Sequence, residues 1–180
     1  MTLLVGIATR KGVWIGADSG SVSADFAMSV PEAKVWQSGA WIVACAGDWR
    51  ASELIRYTVK FPAPPTRISE AHKVVCVDVF DEIRRAFAAR GFDPAADDCG
   101  TAMLLGVRTS ETRTPILYRV EDEHAERHTA MAVGFAEDFA LGALAAQPPT
   151  LSPDRRIQNI MRTTRAFYGN IRPPYRVESL

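Results

Sequence analysis

The chain has 180 residues, 47% of them hydrophobic and 23% charged, and its 21 basic side chains are balanced by 21 acidic ones. A formal charge of zero leaves no surplus of lysine and arginine to neutralise a phosphate backbone or an anionic lipid surface, so neither nucleic acid nor membrane is an expected partner. No apolar run approaches the roughly 20 residues that cross a bilayer.

This length and composition suit one globular domain over residues 1–180. The opening apolar stretch is too short, and too uncharged at its start, for a secretory signal, so a cytoplasmic location is expected. Cys45, Cys76 and Cys99 are an odd number without CxxC spacing. Each lies in an apolar stretch, where a free thiol packs as a small hydrophobe rather than forming a disulfide or holding zinc.

In chain order, short apolar runs bounded by turn residues predict strands over Leu3 to Thr9, Val13 to Ala17, Lys34 to Gln37 and Trp41 to Ala46. Arg10-Lys11-Gly12 and Ser38-Gly39 are read as hairpin turns, each with its glycine at positive φ. Asp48 is a candidate N-cap for a helix in which Ala51, Leu54, Ile55, Thr58 and Val59 recur at helical spacing until Pro62. A second helix is predicted from about Ser69 to Ala89, with Cys76, Phe80, Ile83 and Phe87 on one face and Gly91 as its stop. Thr101 to Val107, Pro115 to Val120 and Thr129 to Val133 read as a strand meander, joined by polar tips over 109–114 and 121–127. A helix follows over Glu137 to Ala146. Another opens at Ser152-Pro153-Asp154, with Ile157, Ile160, Met161, Thr164 and Phe167 as its buried stripe, and an extended tail ends the chain. Such segregated runs of strands and helices favour an antiparallel, layered α+β protein over a doubly wound parallel sheet.

Two constellations compete for the chemistry. Ser19, within Ala17-Asp18-Ser19-Gly20, lacks a triad base: chymotrypsin-like proteases carry theirs upstream of the serine, and His72, His124 and His128 all lie downstream among charged residues. His124 and His128 have metal-like spacing only on a helix, whereas a turn is expected there, and no metal or cofactor is called for. Thr2 offers more. Removal of Met1 is the usual outcome before so small a residue, and an N-terminal threonine carries both a hydroxyl nucleophile and an α-amine base that titrates at about 7.7–8.0. Such a site needs a cation beside the hydroxyl, a carboxylate to orient the cation, and a backbone N–H for the oxyanion. Lys34, Asp18 and Gly47 are the candidates.

With these positions fixed, the sequence resembles the β-type proteasome subunits and the bacterial HslV peptidases, which are N-terminal nucleophile (Ntn) hydrolases. Thr2 opens the first strand. Gly12-Val13-Trp14-Ile15-Gly16-Ala17-Asp18-Ser19 resembles the family's second strand, and Glu32-Ala33-Lys34-Val35 its lysine strand. Ala44-Cys45-Ala46-Gly47 is similar to the segment that supplies the oxyanion hole, and Gly134 with Phe139-Ala140-Leu141-Gly142 to the start of the third helix.

The resemblance implies a four-layer αββα sandwich of two antiparallel sheets. It also implies an endopeptidase in which Thr2 is the nucleophile, Lys34 the cation, Asp18 its partner and Gly47 the oxyanion donor. A pocket for the residue before the scissile bond would be lined by Ser21, Glu32, Trp36, Cys45, Trp49 and Glu53. Peptides or unfolded proteins would be cleaved inside stacked homo-oligomeric rings, served by an ATP-dependent unfoldase. The chain itself has no GxxxxGK[ST] segment. It departs from the family pattern at four places: Phe135 stands where a serine is usual, Ala166 where an aspartate falls, Gly20 where a basic or amide residue follows the Asp-Ser pair, and Ala24 where a glycine is usual. Phe135 and Ala166 carry the alternative reading, a catalytically weak or inactive ring subunit or assembly scaffold.

Overall fold

The computed structural model describes residues 1–23, 26–93, 100–121 and 124–180; Ala24 and Cys99 lie outside them. Three antiparallel sheets are present: a four-stranded one in the order β10-β1-β2-β11, a five-stranded one in the order β5-β6-β7-β8-β9, and the pair β3-β4. In the first, β1 (Leu3–Thr9) pairs with β2 (Gly12–Ala17) and β10 (Ala130–Gly134), and β11 (Arg176–Ser179) covers the far edge of β2. The second runs β5 (Val35–Ser38), β6 (Trp41–Gly47), β7 (Thr101–Arg108), β8 (Pro115–Glu121) and β9 (His124–His128). The pair β3 (Gly20–Ser23) and β4 (Phe26–Ser29) follows directly on β2.

Side-chain alternation builds the layers. In β1, Leu4 faces the second sheet and meets Val13, Ile15, Ile42, Ala44, Leu104 and Leu117, while Leu3, Val5 and Ile7 face the other way onto helices. A strand buried on both faces reads as a continuous apolar run, which is why Leu3 to Thr9 is so plain in the sequence. The outer face of the first sheet is covered by α4 (Glu137–Ala146) and α5 (Pro153–Phe167) through Ala140, Leu144, Ile157, Ile160 and Met161. The outer face of the second is covered by α1 (Trp49–Thr58) and the helix of residues 68–88, through Ile55, Val75, Val79, Ile83 and Phe87. The order is thus helices, sheet, sheet, helices, the expected αββα sandwich.

Several expectations need correction. Gly39 takes a φ of +59°, but Gly12 is extended within β2, and a Cβ there would strike the Leu180 carbonyl oxygen. The tip over 121–127 contains a strand, because the alternating residues of β9 pair with β8 from Leu117↔His128 to Glu121↔His124. Neither the β3-β4 pair nor β9 is legible from apolar patterning: in β9 only Ala125 is buried, and Ser21, Val22, Met28 and Ser29 of the pair lie outside the core. The long second helix is one rod of three parts, α2 (Ile68–Lys73), a π-helical stretch Val74–Val79 and α3 (Phe80–Ala88). Widening the turn moves the buried stripe by one residue, from Ala71, Val75 and Val79 to Phe80, Ile83 and Phe87, which leaves Cys76 half-buried instead of in line. Phe167, expected in the buried stripe of α5, is 70% exposed and lies against Phe139, with ring centroids 4.9 Å apart.

Candidate active site

The register of both sheets brings four strand ends together. Thr2 precedes β1, Asp18 follows β2, Lys34 precedes β5 and Gly47 closes β6. Leu4↔Ala17 pairing puts Asp18 opposite Leu3, and Val35↔Ala44 pairing puts Lys34 opposite Cys45, whose N–H donates to the Lys34 carbonyl at 3.1 Å.

Lys34 and Asp18 are 7% and 1% exposed and form an ion pair at 3.2 Å. The Lys34 ammonium also donates to Thr2 Oγ1 at 2.8 Å, to the Met1 carbonyl at 3.3 Å and to the Gly20 carbonyl. Burial pulls the Lys34 pKa below its ordinary value, while the charge of Asp18 and its hydrogen bond oppose that shift. Asp18 also accepts three backbone N–H groups: Leu3 at 3.0 Å on the oxygen that faces Lys34, and Gly20 at 2.7 Å and Arg172 at 3.3 Å on the other. A carboxylate held by three N–H donors is fixed in place, so Lys34 is aimed at Thr2 by a well-held partner.

Gly20 and the main chain of Arg172 are the parts of this network that the sequence reading missed. Gly20 departs from the family pattern, yet a Cβ there would collide with the Asn170 carbonyl oxygen. Backbone donors such as Arg172 N leave no signature in side-chain type. Phe135 belongs here as well, through its main chain: its N–H donates to the Thr2 carbonyl at 2.8 Å. Its ring turns away into the apolar layer, edge-on to Tyr168 with centroids 5.4 Å apart. Ala166 is exposed on α5.

Beside Thr2 opens a pocket. Of the residues predicted to line it, Glu32, Trp36, Cys45, Trp49 and Glu53 do so, together with Gly47 and Arg56. Ser21 is not on its wall; it sits in β3 opposite Met28, because the chain turns away after Gly20 into the β3-β4 pair. Gly47 has a φ of +113°, and a Cβ would strike the Gly100 carbonyl, so glycine alone fits at this corner. Burial pushes the Cys45 thiol well up, which keeps it a protonated wall rather than a second nucleophile. Both glutamates are exposed at the rim, and neither is ion-paired with Arg50 or Arg56. Arg56 instead donates to the Ala33 carbonyl at 2.8 Å and lies over the Trp36 ring, 5.5 Å from its centroid.

Away from this pocket, His124 and His128 lie 3.2 and 3.3 Å from the two oxygens of Glu126, on one face of β9. Among the described residues no cluster of three or more His, Cys, Asp or Glu side chains is arranged to hold a metal, and no helix is long and apolar enough to cross a membrane.

No family model matches the chain, and no curated protein matches it in sequence. Solved structures do match its fold. Thiobacillus denitrificans BPH, in a structure with epoxomicin, superposes with a TM-score of 0.76 at 15% identity, covering 99% of this chain and 97% of that one. HslV from Trypanosoma brucei gives a TM-score of 0.68 at 10% identity, covering 99% and 98%. Anbu from Hyphomicrobium sp. strain MC1 gives 0.70 at 13% identity, covering 100% and 82%. The chain therefore has the Ntn-hydrolase fold of proteasome-type proteins. Within that class its likeness runs to BPH, HslV and Anbu over nearly its whole length.

The buried pair generates an asymmetry that mutation can read. Lys34→Ala leaves Asp18 with three N–H donors, whereas Asp18→Asn strands a buried ammonium and turns an amide donor toward other donors. We expect Asp18→Asn to lower unfolding free energy by about 3 kcal/mol or more and Lys34→Ala by clearly less. Urea melts of the two variants check this, and equal losses would contradict it.

Proposed function

We propose that the protein is a threonine endopeptidase whose nucleophile is Thr2, working with its own α-amine once Met1 is removed. The observation that carries this reading is the Lys34 ammonium, 2.8 Å from Thr2 Oγ1 and backed by buried Asp18. In the reaction, Thr2 Oγ attacks the scissile carbonyl carbon while the Thr2 amine takes the hydroxyl proton. The Gly47 N–H receives the oxyanion, and the protonated amine returns its proton to the leaving peptide amine as the C–N bond breaks. Water, deprotonated by the same amine, then hydrolyses the threonyl ester. Lys34 lowers the cost of the developing alkoxide, and Asp18 keeps Lys34 in place. A retained Met1 blocks all of this, because an acylated nitrogen has no basic lone pair.

The same reading brings stacked homo-oligomeric rings, an ATP-dependent unfoldase that feeds them with unfolded protein, and a cytoplasmic location, all resting on the family resemblance. One observation favours the alternative of an inactive ring subunit or scaffold: the Phe135 ring packs against Tyr168, so no side-chain hydroxyl is supplied where the family has one.

Intact mass decides between them. Protein from its own host should begin at Thr2 and gain one adduct with a threonine-directed covalent peptidase inhibitor, while Thr2→Ala should gain none. Quantitative retention of Met1, or no adduct on wild-type protein, would overturn the peptidase reading.

The surroundings of the amine set the pH dependence. Burial first, and then the charge of Lys34, hold the terminal amine of the unprocessed chain below its usual value. The amine freed at Thr2 would belong to the residue whose Oγ1 accepts from Lys34, and a cation beside an amine lowers its pKa and extends its neutral form to lower pH. Peptidase rate should therefore rise with pH and reach half-maximum at or below about 7.7–8.0. A midpoint above that range would contradict the assignment of the amine as base.

The rim of the pocket carries two carboxylates, without an ion-pair partner among the described residues, against one guanidinium. Fluorogenic peptides with arginine before the scissile bond should be cleaved a few-fold faster than those with glutamate, exposure keeping the difference small. Equal rates, or a preference for glutamate, would exclude charge selection here and leave the nucleophile assignment intact.

A further inference from the structure

The nucleophile's own main chain is held by a turn that needs holding itself. Gly134 ends β10 at a φ of +96°, and Ala136 begins α4 at +65°, a left-handed conformation that costs an alanine roughly 1–2 kcal/mol. Between them Phe135 presents the N–H that binds the Thr2 carbonyl at 2.8 Å. The turn and the carbonyl are in close contact: a Cβ on Gly134 would strike the Thr2 carbonyl oxygen. Relaxation of Ala136 toward ordinary helical angles would change how α4 leaves the turn, and so strain the turn geometry that keeps the Phe135 N–H on its acceptor.

Glu137 opposes that relaxation. Its Oε2 reaches back three residues to accept the Gly134 N–H at 3.2 Å, and its Oε1 lies 3.6 Å from Arg119 Nη1 on β8, in the opposite sheet. Arg119 is in turn oriented by Glu121, through Nη2 at 2.6 Å and Nε at 3.2 Å. These side chains are partly exposed, so the ion pairs themselves add little stability. Their effect is geometric, because they tie the turn bearing Thr2's hydrogen-bond donor to the sheet that carries Lys34 and Gly47.

We infer that Glu137, anchored by Arg119, is a positioning residue for Thr2: it fixes the strained turn 134–136 so that the Phe135 N–H holds the Thr2 carbonyl and thereby sets Thr2 Oγ against Lys34. The inference rests on the peptidase reading for its catalytic consequence, though not for its geometry. A plainer role for Glu137 is to complement the dipole of α4, whose first turn also contains Asp138. Among the described residues the Gly134 N–H donates to the side chain of Glu137 and not to that of Asp138, so the two roles separate.

The experiment compares wild-type protein with Glu137→Ala, Glu137→Gln and Asp138→Asn. Three quantities are read: the melting temperature, amide hydrogen exchange at Phe135, and the rate of covalent capture of Thr2 by a threonine-directed inhibitor. Glu137→Ala should speed exchange at Phe135 and slow capture, each by about tenfold or more, since a misplacement near 1 Å costs as much as roughly a hundredfold in rate. Glu137→Gln keeps an acceptor for the Gly134 N–H, and Asp138→Asn removes only helix-terminal charge; both should stay within about threefold of wild type. The inference is overturned if Glu137→Ala leaves exchange and capture within that range, if Asp138→Asn reproduces its effects, or if Glu137→Gln is as impaired as Glu137→Ala. Failure to capture Thr2 in wild-type protein would sink the peptidase reading and the catalytic consequence together, and exchange at Phe135 alone would still decide whether Glu137 holds the turn.

Discussion

Asp18 is the point from which the site is organised. Its carboxylate, 1% exposed, accepts main-chain donors from three stretches of chain far apart in sequence, those of Leu3, Gly20 and Arg172, and faces Lys34 with the oxygen it shares with Leu3. A buried charge is tolerated only when each of its lone pairs is used, and here that requirement is what closes the end of the sandwich. The first strand, the start of the β3-β4 pair and the C-terminal segment all converge on one residue. Lys34 inherits its direction from this arrangement. Its ammonium is held between a fixed carboxylate and the Thr2 hydroxyl, and the same burial that makes the pair costly without partners draws the lysine's pKa down.

The four-layer architecture explains why such a cluster forms at all. Antiparallel sheets that face each other across Leu4, Ile15, Leu104 and Leu117 end together, so the starts of β1 and β5 and the ends of β2, β6 and β10 lie at one edge. Polar residues just outside an apolar strand are thereby gathered without any helix or loop of their own. Close sheet packing depends on small residues: a Cβ on Gly6 would press on the Leu117 methyls at 2.8 and 2.9 Å, and one on Gly106 on Val13 at 2.7 Å. The site stands on closely packed strands for that reason, and the strained turn from β10 into α4 adjoins it.

Phe135 shows how a departure in side chain can coexist with retention of a main-chain role. The ring joins Tyr168, and through it Phe139, in the layer between the first sheet and α5, while the N–H holds Thr2. What a hydroxyl at this position would supply is absent. What a backbone donor supplies is present and depends on the strained turn around it. The π-helical stretch over Val74–Val79 is a second case of geometry cutting across pattern, since it lets one helix present two buried stripes offset by a residue to the same sheet.

The sequence by itself determined the strands of both sheets' cores and the capped starts of α1 and α5 at Asp48 and Ser152, because burial on one or both faces imposes a readable period, and it put forward Thr2, Asp18, Lys34 and Gly47 as candidates, which lie at one edge of the sandwich. It did not reveal the β3-β4 pair, β9, the exposure of Phe167 or the exclusion of Ser21 from the pocket wall, since edge strands and surface aromatics leave no such period. Only the tertiary structure decided that Gly20 must be glycine against Asn170, that Arg172 and Phe135 act through their backbone, and that Glu137 reaches Gly134 and Arg119. Backbone donors are the same in every residue but proline, and which of them meets a given acceptor is set by strand register and by the packing of one sheet on the other.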